Sequence, residues 1–251
     1  MVWSSTWPNW NKMESPGELI RRVLKESAAN EPRIDFLLRA ERGIGEAGGR
    51  LGVFASAFDP LTRAHLEILE KAKQRVDEIL LLADRQNADK QSSYASLEDR
   101  LYMLLEFFRD QDRVSLGLSS HPLFLDKLRA LKKVYPPETS FYFLVGYDTI
   151  VRILDKKYYR DREAALEELF RGSQFLVAPR AGRGKEDLVR LFQMAENQSF
   201  WATVHLREIS EFASSPSSTL ARKKLRRGED ARGLVPDRIL ELIKKLKLYG
   251  G

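Results

Sequence analysis

Between residues 51 and 207, six short apolar runs, at 51 to 55, 78 to 83, 114 to 118, 140 to 145, 174 to 178 and 203 to 207, are separated by amphipathic stretches. Runs of this length match buried strands, and the intervening stretches carry apolar residues at helical spacing. Parallel strands need a crossover of a dozen or more residues between them, usually a helix. The alternation therefore predicts an α/β fold, a doubly wound parallel sheet of five or six strands with helices on both faces. The helices fall at about 64 to 75, 96 to 109 and 121 to 133, in a broken stretch from 149 to 170, and at about 185 to 196. Ser96 and Asp99 form a capping box for the second. Two more close the chain, 219 to 227 ending at Gly228 and 237 to 247 entered through Pro236. Sheets of this kind bind ligands at the carboxyl ends of their strands, which directs attention to the loops after 55, 83, 145 and 178.

Residues 1 to 50 have a different character and read as a helical N-terminal extension packed on the domain formed by 51 to 251. Helices are expected at 14 to 28 and 31 to 42, followed by a Gly-rich linker, "RGIGEAGGR". Gly43, Gly45 and Gly48 have the G-x-G-x-x-G spacing of a dinucleotide fingerprint. That fingerprint needs a strand before it and a helix after it, whereas here a helix precedes and the strand "LGVFA" follows, so a flexible linker is the reading. Trp3, Trp7 and Trp10 leave two options open: packing on the domain, or contact with another copy in a homo-oligomer.

The chain has no cysteine, which removes disulfides, thiolate chemistry and Cys-ligated zinc together. Its three histidines, His65, His121 and His205, lack the spacing of a His-based metal site, so any metal is expected to arrive with a substrate and none from the protein. No stretch approaches the roughly 18 consecutive apolar residues of a membrane helix. The N-terminus "MVWSSTWPNW" lacks the basic start and apolar core of a signal peptide, so the expectation is a cytoplasmic protein with no membrane partner. A formal charge of +6 suits a partner rich in phosphate. The Arg/Lys run at 222 to 227 has no aromatic platform beside it in sequence, which favours a small nucleotide over nucleic acid.

Two stretches can carry phosphate chemistry. In "FASAFDPLTRAH", residues 54 to 65, a strand gives way through Asp59-Pro60 to a helix with His65 in its first turn. A helix start offers unpaired N–H groups and a partial positive charge, and a histidine adds a ring donor aimed at the same anion. Thr62 is placed to add a hydroxyl. In "SSPSSTLARKKLRRG", residues 214 to 228, Ser217, Ser218 and Thr219 are natural caps for a helix, with Arg222 one turn in, where its guanidinium can grip phosphate oxygens as a fork. Each also has an ordinary reading, a capped helix with a packed histidine or solvated basic residues. Neither contains a nucleophile–base pair, so phosphate handling by positioning and charge stabilisation is the chemistry they suit.

Taken together, "FDPLTRAH" and the downstream "SSTLAR" resemble the two signatures of the nucleotidyltransferase superfamily, T/H-x-G-H after the first strand and I-S-S-T-x-x-R near the C-terminus. The segments "FYFLVGYDTIVRIL", "FLVAPR" and "LVPDRILELIKKLKLYG" look like those of nicotinamide and nicotinate mononucleotide adenylyltransferases, so the likeness spans about residues 51 to 249. The resemblance implies a Rossmann-like domain that transfers the adenylyl group of ATP to a pyridine mononucleotide, with Mg2+ accompanying ATP. It implies His65, Thr62 and Arg222 as the catalytic set. Ala55, Ser56, Ala57, Phe58, Gly146, Asp148, Ser217, Ser218 and Thr219 would join His65 and Arg222 around ATP and its phosphates, Asp148 at the ribose. Lys90, Tyr158 (or Tyr159) and Arg180 would meet the mononucleotide. Ala55-Ser56 and Ala64 depart from the pattern, standing where relatives have glycine, and a side chain there can obstruct a phosphate. Another adenylyl or cytidylyl transfer, for example onto phosphopantetheine, and a catalytically weakened nucleotide sensor are the alternatives.

Overall fold

Seven strands build one sheet: β1 (Ile34–Leu38), β2 (Arg50–Ala55), β3 (Glu78–Asp84), β4 (Val114–Ser119), β5 (Ser140–Gly146), β6 (Gln174–Ala178) and β7 (Val204–Leu206). Their order is β1-β4-β3-β2-β5-β6-β7, with every pairing parallel except β1 against β4. The computed structural model describes residues 14–26, 31–45, 47–85, 94–179, 182–206 and 217–250. The helices among them are α1 (Pro16–Glu26), α2 (Arg63–Lys73), α3 (Leu97–Phe108), α4 (Phe124–Val134), α5 (Tyr147–Leu154), α6 (Arg162–Gly172), α7 (Lys185–Gln193), α8 (Ser217–Arg226) and α9 (Asp237–Lys245). No helix of the described residues is long and apolar enough to cross a membrane.

Alternation along the strands divides the core in two. Ile79, Leu81 and Ala83 of β3 face one side with α1, α2, α3, α8 and α9, while Leu80 and Leu82 face the other with α4 to α7. All six strands expected from sequence form, and both faces are covered. The strand order reverses between β2 and β5, so their carboxyl ends flank a crevice, the place where such sheets hold ligands.

The N-terminal extension departs from expectation in its second half. Residues 31 to 42, read as a helix, contain the edge strand β1, which makes the sheet seven-stranded. The cause is a bulge: register with β4 shifts between Phe36 and Leu38, so the strand buries Ile34, Leu37 and Leu38, and a regular period of two is broken. Those positions are i, i+3 and i+4, indistinguishable from a helical stripe. The glycines that follow are also not a free linker. A Cβ on Gly43 would lie 2.5 Å from Glu78 Oε2, and one on Gly48 would lie 2.4 Å from the carbonyl carbon of Glu138. The first half does pack as a helix, with Ile20 and Val23 of α1 buried against the core.

Glu78 fastens this extension to the amino end of the sheet. Fully buried, its carboxylate accepts hydrogen bonds from the Ile44 N–H at 2.9 Å and from the Ser115 and Tyr135 hydroxyls, both at 2.6 Å. Burial, reinforced by the Glu78 charge, pushes the Tyr135 phenol well up, so it remains a donor. Removing the acceptor strands two buried hydroxyls and the partly buried Ile44 N–H. Glu78→Ala is expected to lower unfolding free energy by about 3 kcal/mol in urea titrations, and a loss below about 1 kcal/mol would show the three donors re-pairing.

Candidate active site

The crevice is formed at one wall by the loop from Ser56 to Thr62, which joins β2 to α2. Thr62 is the N-cap of α2 with extended backbone (φ −125°, ψ 163°). Its hydroxyl accepts from the His65 N–H at 3.4 Å, and its own N–H donates to His65 Nδ1 at 3.1 Å. The Thr62 hydroxyl also lies 2.9 Å from Nδ1. A ring nitrogen that accepts from a backbone N–H carries no proton itself, so in neutral His65 the proton sits on Nε2. The ring edges onto Phe54 and Phe58, with centroids 5.6 and 5.3 Å away. Phe58 is itself buried with a positive φ of 46°, a strained conformation held by this packing.

Three side chains from two other helices, α3 and α8, capture the loop's carbonyls. Buried Arg100 of α3 donates to Ala57 O at 2.7 Å, Arg222 of α8 to Asp59 O at 2.6 Å, and the Ser218 hydroxyl to Pro60 O at 3.3 Å. Desolvation lowers the pKa of Arg100, opposed by the charges of Asp59 and Asp84. With these oxygens turned to cations and a hydroxyl, the backbone N–H groups of Ala57 and Phe58 find no acceptor among the described residues. Open N–H groups beside a helix start are what an anionic oxygen needs.

The Asp59 carboxylate, with the residue only 5% exposed, organises what surrounds the loop. It accepts from the backbone N–H of Tyr94 at 3.1 Å and Ala95 at 3.3 Å, and from the Tyr249 hydroxyl at 2.7 Å. Arg222 Nη1 stands 3.9 Å from Asp59 Oδ2, while Nη2 donates to Thr219 Oγ1 at 3.2 Å. Outward from Arg222 runs a cleft of about 430 Å³ lined by Tyr94, Thr219, Arg222, Lys223, Arg226 and Arg227. The guanidinium carbons of Arg222 and Arg226 lie 5.0 and 5.4 Å from the Tyr94 ring centre. The basic run thus has an aromatic neighbour that is remote in sequence.

On the other wall, Gly146 ends β5 and Asp148 stands exposed in the first turn of α5. The structure therefore assembles loop 56–62, His65, Ser218, Thr219 and Arg222, and sets Gly146 and Asp148 across the switch point. Ser217 opens α8. Tyr158 lies in the 3-10 turn after α5, with the Lys157 ammonium 4.7 Å from its ring centre. Tyr159 is tied into the core instead: its hydroxyl donates to Ile153 O at 2.7 Å, and burial pushes its pKa up to about 12. Lys90 and Arg180 lie outside the described residues, as do Trp3, Trp7 and Trp10. The glycine departures separate. Ala64 is 5% exposed, so its methyl occupies protein interior, whereas the Ser56 N–H donates to Leu82 O at 3.2 Å and is spent on the sheet.

Sequence reading missed Arg100, Tyr249, and the pair of Asp84 with Lys127. Lys127 Nζ, fully buried, is 2.8 Å from Asp84 Oδ1 and also donates to the carbonyls of His121 and Pro122. Burial pushes the Lys127 ammonium down and the Asp84 carboxyl up, each offset by the other's charge. The pair pins the turn after β4 to the carboxyl end of β3. No spacing announces it, because a lysine within an amphipathic helix normally faces water. Arg100 is hidden in the same way.

A largely parallel sheet with open N–H groups in a capped loop at its switch point, and a basic helix facing that loop, is the architecture of an α/β domain of the nucleotidyltransferase type. The chain belongs to the cytidylyltransferase-like family, whose model matches residues 53–224. A Schizosaccharomyces pombe protein named as a nicotinamide mononucleotide adenylyltransferase is 31% identical over 216 residues, covering 78% of this chain and 85% of its own. A Dehalococcoides mccartyi protein named as a nicotinate-nucleotide adenylyltransferase is 29% identical, covering 80% and 97%. Among solved structures, Plasmodium falciparum nicotinic acid mononucleotide adenylyltransferase, known in complexes with APC and with NaAD, matches with TM-score 0.60 at 22% and 21% identity over 80% of this chain and 97% of that one.

The Thr62–His65 geometry has a direct spectroscopic consequence. At pH 8, ring 15N shifts of His65 should report a protonated Nε2 and a bare Nδ1, and Thr62→Ala should cost about 1 kcal/mol of stability through the lost cap. A proton on Nδ1 would contradict the arrangement.

Proposed function

We propose that the chain transfers the adenylyl group of ATP to nicotinamide or nicotinate mononucleotide, giving NAD or its deamido form and pyrophosphate. The observation that carries this reading is the capture of three loop carbonyls by Arg100, Arg222 and Ser218, which leaves a donor-lined loop and a helix start at the switch point. The names of the relatives supply the acceptor.

In this reading a 5′-phosphate oxygen of the mononucleotide attacks the α-phosphorus in line. The bond from that phosphorus to the bridging oxygen breaks, and pyrophosphate leaves with the electron pair. His65 donates its Nε2–H to a non-bridging α-phosphate oxygen, where charge builds in the transition state. Thr62 holds the ring in the tautomer that makes this possible. Arg222, Ser217, Ser218 and Thr219 attend the β- and γ-phosphates, and Asp148 and Gly146 the ATP ribose. Lys90, Tyr158 and Arg180 are assigned to the mononucleotide. Magnesium would accompany the triphosphate of ATP. When bound there it would neutralise charge on the leaving pyrophosphate.

The second reading, a nucleotide sensor without turnover, draws on one observation: the N–H of Ser56 is spent on Leu82 and cannot serve a phosphate. Incubation with ATP, magnesium and each mononucleotide, following pyrophosphate and dinucleotide, separates the two. Product with either acceptor establishes the transferase, and ATP binding with no product from both establishes the sensor. In the transferase, His65→Ala should lower kcat at least about tenfold, the loss of about 1.4 kcal/mol of transition-state contact. An unchanged kcat would make the histidine purely structural.

A further inference from the structure

The C-terminal turn reaches across 190 positions to the phosphate loop: the Tyr249 hydroxyl donates to Asp59 Oδ1 at 2.7 Å. The helix α9 ends in a left-handed cap, with Lys247 at φ 52° and the Leu248 N–H donating to Ile243 O at 3.0 Å. Tyr249 follows at φ 61°, a region that bulky residues rarely enter unless packing holds them. Tyr249 is 6% exposed and belongs to the core under α8 and α9. Burial and the adjacent Asp59 charge push its phenol well up, so the hydroxyl remains a donor.

The consequence concerns Arg222. Asp59 Oδ2 stands 3.9 Å from Arg222 Nη1, too far for a hydrogen bond, although both groups are largely buried and oppositely charged. The carboxylate is held off by its three donors, the Tyr249 hydroxyl on Oδ1 and the Tyr94 and Ala95 N–H groups on Oδ2 and Oδ1. Arg222 is left to donate to the Asp59 carbonyl and Thr219 Oγ1, its ion pair with the carboxylate held open at 3.9 Å with no hydrogen bond between them. We propose that Asp59 and Tyr249 are positioning residues, a clamp that keeps the carboxylate from closing on Arg222 and so preserves that guanidinium for the departing pyrophosphate. Deleting the Tyr249 hydroxyl leaves Oδ1 with only the longer bond from the Ala95 N–H, at 3.3 Å, and the loosened carboxylate then closes on Arg222 and neutralises it.

This inference rests on the transferase reading for its kinetic consequence, and the test keeps the two apart. Tyr249→Phe preserves the ring that fills the core and removes only the donor. Measured per folded molecule well below the melting transition, kcat of Tyr249→Phe should fall at least fivefold with KM for the mononucleotide unchanged. Magnesium pyrophosphate, titrated calorimetrically, should bind at least threefold more weakly. Tyr249→Ala, which also empties the ring's site, should lower the melting temperature further while repeating the same loss of pyrophosphate affinity. If wild type makes dinucleotide and Tyr249→Phe matches it in kcat, the clamp is refuted, whatever its melting temperature. If wild type makes none, the transferase reading fails. The clamp is then judged on pyrophosphate affinity, and equal affinities in wild type and Tyr249→Phe refute it.

Discussion

The capture of the β2–α2 loop's carbonyl oxygens is the constraint on which the rest of the site depends. A loop that meets phosphate must aim its N–H groups at the ligand, and every carbonyl pointing the same way would repel it. Here the carbonyls of Ala57, Asp59 and Pro60 are taken by Arg100, Arg222 and Ser218. Buried guanidinium groups suit this task because they stay charged when desolvated and offer several donors in a fixed plane. The donors come from α3 and α8, both on the face of the sheet that also carries α1, α2 and α9. The arrangement of the loop is thus a product of how that layer packs, and not of the loop alone.

Asp59 links this layer to the C-terminus. One carboxylate accepts from the segment before α3 and from Tyr249, and faces Arg222 of α8. A buried charge with several donors is costly to leave unpaired, which ties the chain's last turn to its first crossover. Arg63 reinforces the same connection. Its N–H donates to Leu234 O, its Nε to Arg232 O and its Nη2 to Asp237, fixing the start of α2 against the entry to α9.

The parallel sheet was legible because strands buried on both faces read as apolar runs, and the crossover helices carry clean stripes. The grouping of Thr62, His65, Ser218, Thr219 and Arg222 around one loop follows from helix starts, where the first four sit, with Arg222 one turn in, a placement that is local in sequence. What escaped was set by tertiary contact. β1 imitated a helix because its bulge buries Ile34, Leu37 and Leu38 together. Gly43 and Gly48 looked like linker residues because the atoms they make room for, on Glu78 and Glu138, are far along the chain. Arg100 and Lys127 look like surface residues of amphipathic helices until the loops they hold are in place. The doubt raised by Ala64 dissolves once its methyl is seen to be buried, whereas Ser56 retains its consequence because its N–H belongs to the sheet.

The central claim is that the loop after β2 presents N–H groups, freed by carbonyl capture, to the phosphates of a nucleotide. Backbone amide NMR during titration with magnesium and a non-hydrolysable ATP analogue tests it most directly. Binding at this loop predicts large downfield proton shifts for Ala57 and Phe58, with Ser56 and Arg63 little changed because their N–H groups are already donating. Saturable binding that leaves Ala57 and Phe58 unshifted would contradict it.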